Sequence, residues 1–182
     1  DVILVSKAIG GTQPMSVVIY NKELDKWQPG SHAGTFRGNQ LAMRAGTVVM
    51  NRVSDPEFLA QVRAKGEYLR EKMLELKNKV SIIGDIRGKG LMSGCEFVDP
   101  KGTADAIGSV PASGEIAALV QKKCFENKLV MEKGGRHGSV MRCLCALNVT
   151  DEELDKIKKF ELKQYADNQR DNYYWQNLIV EK

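Results

Sequence analysis

Apolar residues near the start of the chain form two continuous runs that are separated by a glycine pair. The first run covers residues 2–5, and the second covers residues 15–20. Continuous apolar runs of this length are typical of strands that are buried on both faces of a sheet. We therefore predict two buried strands, and the turn between them begins at Ser6 and Lys7.

A helical spacing of apolar residues begins near Asn39. Its predicted apolar face consists of Leu41, Ala45, Val48 and Val49. The sequence Ser-Asp-Pro-Glu at 54–57 is a capping box with proline in the first turn, and it predicts the start of a second helix. The apolar stripe of this second helix contains Phe58, Val62, Leu69, Met73 and Leu76.

The remainder of the chain alternates short apolar runs with helical patterns. We predict strands at 80–83 and 91–98, on either side of the glycine-rich stretch GDIRGKG, and a loop over 101–113. A helix follows around 116–124, then strands at 129–132 and 139–144, and a capping box at Thr150 opens a last helix. This order of elements indicates a small α+β domain.

The predicted elements divide the chain into two regions. Residues 1–78 hold the first two strands and a long helix that links the regions, and residues 79–182 form the α+β domain with an atypical tail from 158 onward. A length of 182 residues is enough for this arrangement.

Composition narrows the class of protein. The net charge is +4 and no basic stripe is present, so nucleic-acid binding has little support. No apolar run is long enough to cross a membrane. The four cysteines lack the spacing of a zinc site or a disulfide framework. Reduced thiols in a cytoplasmic protein are the simplest interpretation.

Lys7 is the first candidate for chemistry. It follows an apolar strand and precedes two glycines, and open α/β sheets place their ligands at such strand ends. Partial desolvation would lower the pKa of its amine and suit Schiff-base chemistry with an aldehyde. Without these features, a lysine in a loop is an ordinary solvated charge.

Several motifs together resemble the class III pyridoxal-phosphate-dependent aminotransferases. They are DVILVSKAIGGTQPMSVVIY, WQPGSHAGTFRGNQLAM, GDIRGKGLMSGCEF and GRHGSVMRCLCALNVTDEELDKI. The resemblance covers roughly residues 1–157. It implies an α/β fold, namely the C-terminal part of a fold-type I transferase: the end of the large-domain sheet followed by the small α+β domain.

The resemblance also implies roles for individual residues. Lys7 would be the catalytic residue and the covalent attachment point of pyridoxal 5′-phosphate. Gly34 and Thr35 would bind the cofactor phosphate of a neighbouring subunit, and Arg142 would hold a substrate carboxylate. Considered alone, Thr35 is an ordinary loop or ST-turn residue, and Arg142 is a surface or ion-paired strand arginine. The family has two prolines where this chain has Cys145 and Ala146.

Arg87 and His32 lie within the same motifs, and we expect structural roles for both.

Within the family, the stretch around Thr35 is similar to the diaminobutyrate:2-oxoglutarate 4-aminotransferases. The implied reaction moves the terminal amine of L-2,4-diaminobutyrate to 2-oxoglutarate, giving aspartate 4-semialdehyde and glutamate. The alternatives are another class III aminotransferase, acting on ornithine, 4-aminobutyrate or acetylornithine, and a non-catalytic structural or interaction fragment.

The implied assembly is a homodimer or a higher homo-oligomer. Its missing N-terminal half, with the remainder of the cofactor site, would lie on the same or another chain.

Overall fold

The computed structural model describes residues 1–155 of the chain. The chain divides into two compact units, Asp1–Ala60 and Gln61–Lys182. The first unit contains β1 (Val2–Ser6), β2 (Ser16–Tyr20), α1 (Gln40–Val53) and the start of α2 (Pro56–Lys77). The second contains the rest of α2, then β3 (Ile83–Lys89), β4 (Met92–Phe97), α3 (Gly114–Glu126), β5 (Glu132–Gly134) and β6 (Val140–Leu144). The division that the sequence suggests after residue 78 stays a prediction, as does the tail from 158, which lies outside the described residues.

The two predicted strands at the start of the chain are confirmed as an antiparallel pair. Val2 pairs with Tyr20, and Ser6 pairs with Ser16. Their predicted burial is wrong, because Ile3 is 60% exposed and Leu4 is 74% exposed. Among the described residues this sheet has two strands only, and a two-stranded ribbon has no neighbouring strand or second layer to bury its faces.

The first helix, α1, begins where the sequence predicts it. The Asn39 side chain accepts hydrogen bonds from the backbone N–H groups of Leu41 and Ala42, at 3.0 and 3.3 Å. The predicted apolar face is wrong in part, since Leu41 and Val48 are exposed whereas Ala42 and Gly46 are buried. Small residues are on the buried side because the 3₁₀ turn Lys7–Gly10 packs closely against it.

The second helix also begins as predicted, although the capping residue differs. The Asp55 carboxylate, not the Ser54 hydroxyl, accepts the N–H groups of Glu57 and Phe58 at 2.9 and 3.4 Å. Most of the predicted stripe is buried, namely Phe58, Val62, Leu69 and Met73, and Leu76 is half-buried.

The second unit is built around a four-stranded antiparallel sheet in the order β3-β4-β6-β5. The strand predicted at 80–83 is wrong except for its last residue, because strand β3 begins at Ile83 and runs through the glycine-rich stretch that we placed between two strands. Its glycines permit the strands to approach, because a Cβ at Gly88 would lie 2.2 Å from the Met92 carbonyl oxygen. Inward and outward residues alternate along β4, with Ser93, Cys95 and Phe97 buried.

Helices complete the core of the second unit. Helix α3 contacts β4, β5 and β6, and the Ser113 hydroxyl accepts the Ile116 N–H at its start. The capping box at Thr150 is confirmed by two reciprocal hydrogen bonds with Glu153, at 2.8 and 3.2 Å. Within residues 1–155, no helix combines the length and the apolarity that crossing a bilayer requires.

Candidate active site

Lys7 stands at the point where β1 ends and a single 3₁₀ turn, Lys7–Gly10, begins. Its backbone has φ of 60°, in the left-handed region. For a residue with a Cβ this conformation costs about 1–2 kcal/mol, and such strain persists only where the surroundings impose it. The side chain is exposed, so the predicted desolvation of the amine is wrong for the described residues: β1 lacks cover on its faces.

Gly34 and Thr35 lie in the loop that precedes α1. The Gly34 carbonyl accepts the Arg37 N–H at 3.1 Å, which closes a β-turn with Thr35 at its second position. Thr35 is exposed, and around Gly34 the nearest atom to an added Cβ would be Arg37 Cβ at 3.9 Å. The loop therefore presents a hydroxyl beside a glycine with open space around it.

Aromatic contacts order the same loop. Trp27 stacks on Tyr20 with ring centroids 6.2 Å apart, and His32 meets the Trp27 ring edge-on at 5.1 Å. Tyr20 donates a hydrogen bond to Asp25 at 3.2 Å, and partial burial together with this bond raises the pKa of the tyrosine hydroxyl. These contacts support the structural role that we expect for His32.

An open cavity of about 1030 Å³ lies between β2, this loop and the start of α1. Its lining includes Ser6, Tyr20, Trp27, His32, Phe36 and Met43. Ser6, which lines the cavity, directly precedes Lys7 in the sequence. Neither Lys7 nor Thr35 lines it, and in the described part of the chain no hydrogen bond joins them, so the first unit does not bring these two residues together.

Arg142 lies on β6 in the second unit, directly opposite Glu132 of β5. Its Nη2 donates a hydrogen bond to Glu132 Oε1 at 2.6 Å, and the guanidinium lies over Gly134, where an added Cβ would be 3.0 Å from Nη2. The Nε atom is buried and has no hydrogen-bond partner among residues 1–155. Arg142 is thus ion-paired and retains a donor that is not used.

Arg87 shares a cross-strand row with Arg142, and Gly94 lies between them. Its Nη1 donates to Asp85 at 2.8 Å and to Glu96 at 2.6 Å. These two carboxylates raise the pKa of the guanidinium, and Arg87 in turn lowers the pKa of Asp85. Two carboxylates hold Arg87 in place, whereas one holds Arg142 among the described residues, which supports the expectation that Arg87 is structural.

Sequence reasoning missed Glu132 and Gly134 as neighbours of Arg142. Both come from β5, which begins at the last residue of the strand predicted over 129–132. The opposite charges of Glu132 and Arg142 are a signal that the sequence contains, but the pairing depends on strand register, which local patterns do not specify.

Histidine, cysteine and carboxylate side chains are spread across the part of the chain that the structure describes. No cluster of three or more histidine, cysteine or carboxylate side chains could hold a metal ion there. Cys95, Cys124 and Cys143 are buried, and Cys145 is half-buried.

Comparison with known proteins agrees with the resemblance noted in the sequence. The family model described as "Aminotransferase class-III" matches residues 1–161. Two relatives, both named diaminobutyrate--2-oxoglutarate aminotransferase, are 45% identical: that of Haemophilus influenzae over 88% of this chain and 36% of its own length, and that of Rhizobium meliloti over 86% and 33%. The chain therefore spans about a third of the length of these curated relatives.

Solved structures show the same fold. Acetylornithine aminotransferase from Elizabethkingia anophelis aligns with a TM-score of 0.74 at 27% identity, over 92% of this chain and 41% of that chain. The predicted fold, part of a fold-type I transferase with mixed α/β structure, is confirmed. The chain belongs to the class III aminotransferases.

Proposed function

We propose that the protein that contains this chain is a pyridoxal-phosphate-dependent aminotransferase. Its reaction transfers the terminal amine of L-2,4-diaminobutyrate to 2-oxoglutarate, and the products are aspartate 4-semialdehyde and glutamate. The observation that carries the proposal is Lys7, an exposed primary amine held in a strained turn at a strand end, within a chain of this family. The two relatives at 45% identity support the choice of substrates by their names.

The residues of the first unit fit pyridoxal phosphate in their chemistry. Lys7 offers an accessible amine for the aldehyde carbon, and Thr35 offers a hydroxyl beside the open space at Gly34 for the phosphate. When bound, the cofactor supplies an electron sink that stabilises negative charge at the substrate carbon.

Lys7 has two tasks in this proposal. Its amine would be the attachment point of the cofactor, and when that amine is free, its Nζ would accept a proton from the substrate carbon that carries the transferred nitrogen. Because the Lys7 side chain is exposed, it can perform both tasks while the backbone of the Lys7–Gly10 turn and of β1 stays in place.

Arg142 is the proposed carboxylate-binding residue. A planar guanidinium donates two parallel hydrogen bonds to a carboxylate, and the Arg142 side chain already binds the carboxylate of Glu132 while 42% of it is exposed. Arg142 belongs to the second unit, so in this proposal the two units supply different tasks: attachment of the cofactor and recognition of the acid.

A second candidate function keeps the chemistry and changes the amine donor. Acetylornithine or ornithine would be the donor, because the solved neighbour from Elizabethkingia anophelis carries the name acetylornithine aminotransferase. Two alternatives remain, namely 4-aminobutyrate as the donor and a non-catalytic fragment, and the fragment predicts that Lys7 forms no cofactor adduct.

The assembly and the location belong to the same proposal. The exposed apolar strands β1 and β2 favour cover by the remainder of a protein about three times as long, or by a second subunit. Thr35 would then reach the cofactor of the neighbouring subunit in a homodimer or a higher homo-oligomer. The spacing of the four cysteines, which fits neither a zinc site nor a disulfide framework, favours a reducing compartment, and we propose the cytoplasm.

The test is borohydride reduction of the full protein loaded with pyridoxal phosphate, followed by peptide mass mapping. We expect a pyridoxyl adduct on Lys7, and in Lys7→Ala the adduct is absent and turnover is lost. Lys22→Ala is the matched control, because Lys22 is another exposed lysine of the first unit. Normal turnover in Lys7→Ala would contradict the proposal, and ratios of kcat/KM for diaminobutyrate, ornithine and acetylornithine separate the two donors.

A further inference from the structure

Helix α1 has a glycine at its centre, where the turn that carries Lys7 rests on it. Gly46 is buried, and a Cβ added there would lie 2.9 Å from the Ile9 carbonyl oxygen and 3.2 Å from Met15 Sδ. Distances below 3.0 Å are shorter than real Cβ contacts, so any side chain at position 46 forces the turn or the helix to move.

The clash involves the backbone of the turn and not only a flexible side chain. Ile9 belongs to the 3₁₀ turn Lys7–Gly10, so its carbonyl cannot shift without moving the segment that begins at Lys7. The next residue after the turn, Gly11, lies over the same helix, where its added Cβ would be 3.6 Å from Val49 Cγ2 and 3.7 Å from Ala45 Cβ. The size of the residue at position 46 therefore sets the distance between the turn and α1.

Glycine is a poor helix former, and its presence in a helix interior calls for a packing or functional reason. The approach of the Ile9 carbonyl supplies that reason. The same helix begins at the Asn39 cap, directly after the β-turn that contains Thr35. One rigid element thus supports both the turn with Lys7 and the loop with Thr35.

We infer that Gly46 is a positioning residue for Lys7. By lacking a Cβ, it lets the Lys7–Gly10 turn lie against α1, and this contact sets where the Lys7 amine stands relative to the bound pyridoxal phosphate. The inference rests on the proposed function, in which Lys7 is the attachment point of that cofactor.

The experiment compares two reactions of Lys7 in Gly46→Ala and in the unaltered full protein. The first is the rate at which pyridoxal phosphate is trapped on Lys7 by borohydride, which requires correct position. The second is acetylation of Lys7 by dilute acetic anhydride in the cofactor-free protein, which requires an exposed, unprotonated amine but no particular position. Peptide mass mapping gives both rates, and their ratio is the readout. We expect the ratio to fall by about tenfold or more in Gly46→Ala.

Gly66→Ala is the matched control. Gly66 is also a glycine within a helix, and its added Cβ would lie 2.5 Å from the carbonyl carbon of Gly90, so packing is disturbed in the second unit. We expect a lower melting temperature and an unchanged ratio for this variant. Val62→Ala, which shortens a buried side chain of α2, is a second control with the same expectation.

The outcomes separate the two proposals. If the unaltered protein forms no Lys7 adduct, the proposed function is wrong. If the adduct forms and the ratio for Gly46→Ala stays within about twofold of the unaltered protein, far from the effect of a misplaced reacting group, the function stands and the inference about Gly46 is wrong.

A second variant covers the case in which Gly46→Ala does not fold. Gly46→Ala combined with Met15→Ala removes the sulfur contact at 3.2 Å but keeps the Ile9 contact at 2.9 Å. The ratio should remain low in this double variant, and recovery of the ratio would overturn the inference. If neither variant folds, Gly46 is needed for folding alone, and the inference is also overturned.

Discussion

The first and second units of the chain differ in where their apolar side chains lie. In the first unit, the ribbon of β1 and β2 exposes Ile3, Leu4, Val18 and Ile19. In the second, the sheet buries Ile86, Cys95 and Met141 beneath α3 and its neighbours. Both units have apolar strands, yet within residues 1–155 only the second has the strands and helices that cover them.

The difference follows from the order of apolar and polar residues in each strand. Residues along β4 alternate between buried and less buried positions, as expected of an antiparallel strand with one covered face. Residues 2–5 are apolar without alternation, which suits a strand with cover on both faces. The second unit therefore buries the apolar residues of its own strands. The first unit exposes such residues, and an exposed apolar surface of this kind marks interaction sites.

The largest expected effect tests this difference with one substitution made in each unit. Leu69 in α2 is 4% exposed, and Leu4 in β1 is 74% exposed. In the 182-residue chain, Leu69→Ala should lower the free energy of unfolding by about 2–5 kcal/mol, because it leaves a cavity. Leu4→Ala should change it by about 0.5 kcal/mol or less. Urea unfolding measures both, and equal losses would break the comparison.

The same pair sharpens the comparison in the full protein. If the remainder of the protein covers β1, Leu4→Ala should there cost as much as a core substitution, about 2–5 kcal/mol. A cost that stays near zero in the full protein would show that β1 remains uncovered.

A smaller effect concerns the separate tasks of the units in the proposed reaction. Arg142→Gln should raise KM for 2-oxoglutarate by about 10- to 100-fold, because a charged hydrogen-bonded contact to the carboxylate is lost. The Lys7 adduct should form normally, since Lys7 lies in the other unit. Steady-state kinetics give KM, and Arg87→Gln in the same cross-strand row is the control, with an unchanged KM expected. An unchanged KM in Arg142→Gln would remove the role proposed for Arg142.

The smallest expected effect is the pH dependence of the ion pair on β3. Arg87 lowers the pKa of Asp85 in the folded state below its ordinary value of 3.8. The pair therefore stabilises the fold above that value, and the contribution is lost as the pH falls through the lower folded pKa. Both side chains are about half exposed, so solvent screening limits the contribution to below about 1 kcal/mol.

Urea midpoints measured from neutral pH to below pH 3.8 check this dependence. The loss of stability on acidification should be smaller in Arg87→Gln, because Asp85 then lacks the charged hydrogen-bond donor that contributes most to lowering its pKa. An identical loss in the variant and the unaltered chain would show that the pair contributes nothing.

Local signals in the sequence predicted most of the elements. The apolar runs predicted β1 and β2, Asn39 and the Ser-Asp-Pro-Glu stretch predicted the starts of α1 and α2, and Thr150 predicted its capping box. These features depend on a few neighbouring residues, so the sequence by itself determines them. The motifs around Lys7 and Thr35 also sufficed to identify the family.

Tertiary structure decided the features that depend on distant neighbours. Strand β3 contains glycines, which ordinarily disfavour strands. They are accommodated because the backbone of β4 approaches β3 so closely that a Cβ would clash with it. The buried face of α1 is set by the turn after β1, and Glu132 meets Arg142 only through the register of β5 and β6. Lys7 stays exposed because cover for a strand must come from elements outside it. Burial and strand register depend on contacts between distant segments, whereas the local sequence specifies only which secondary structure each segment favours and which side chains it carries.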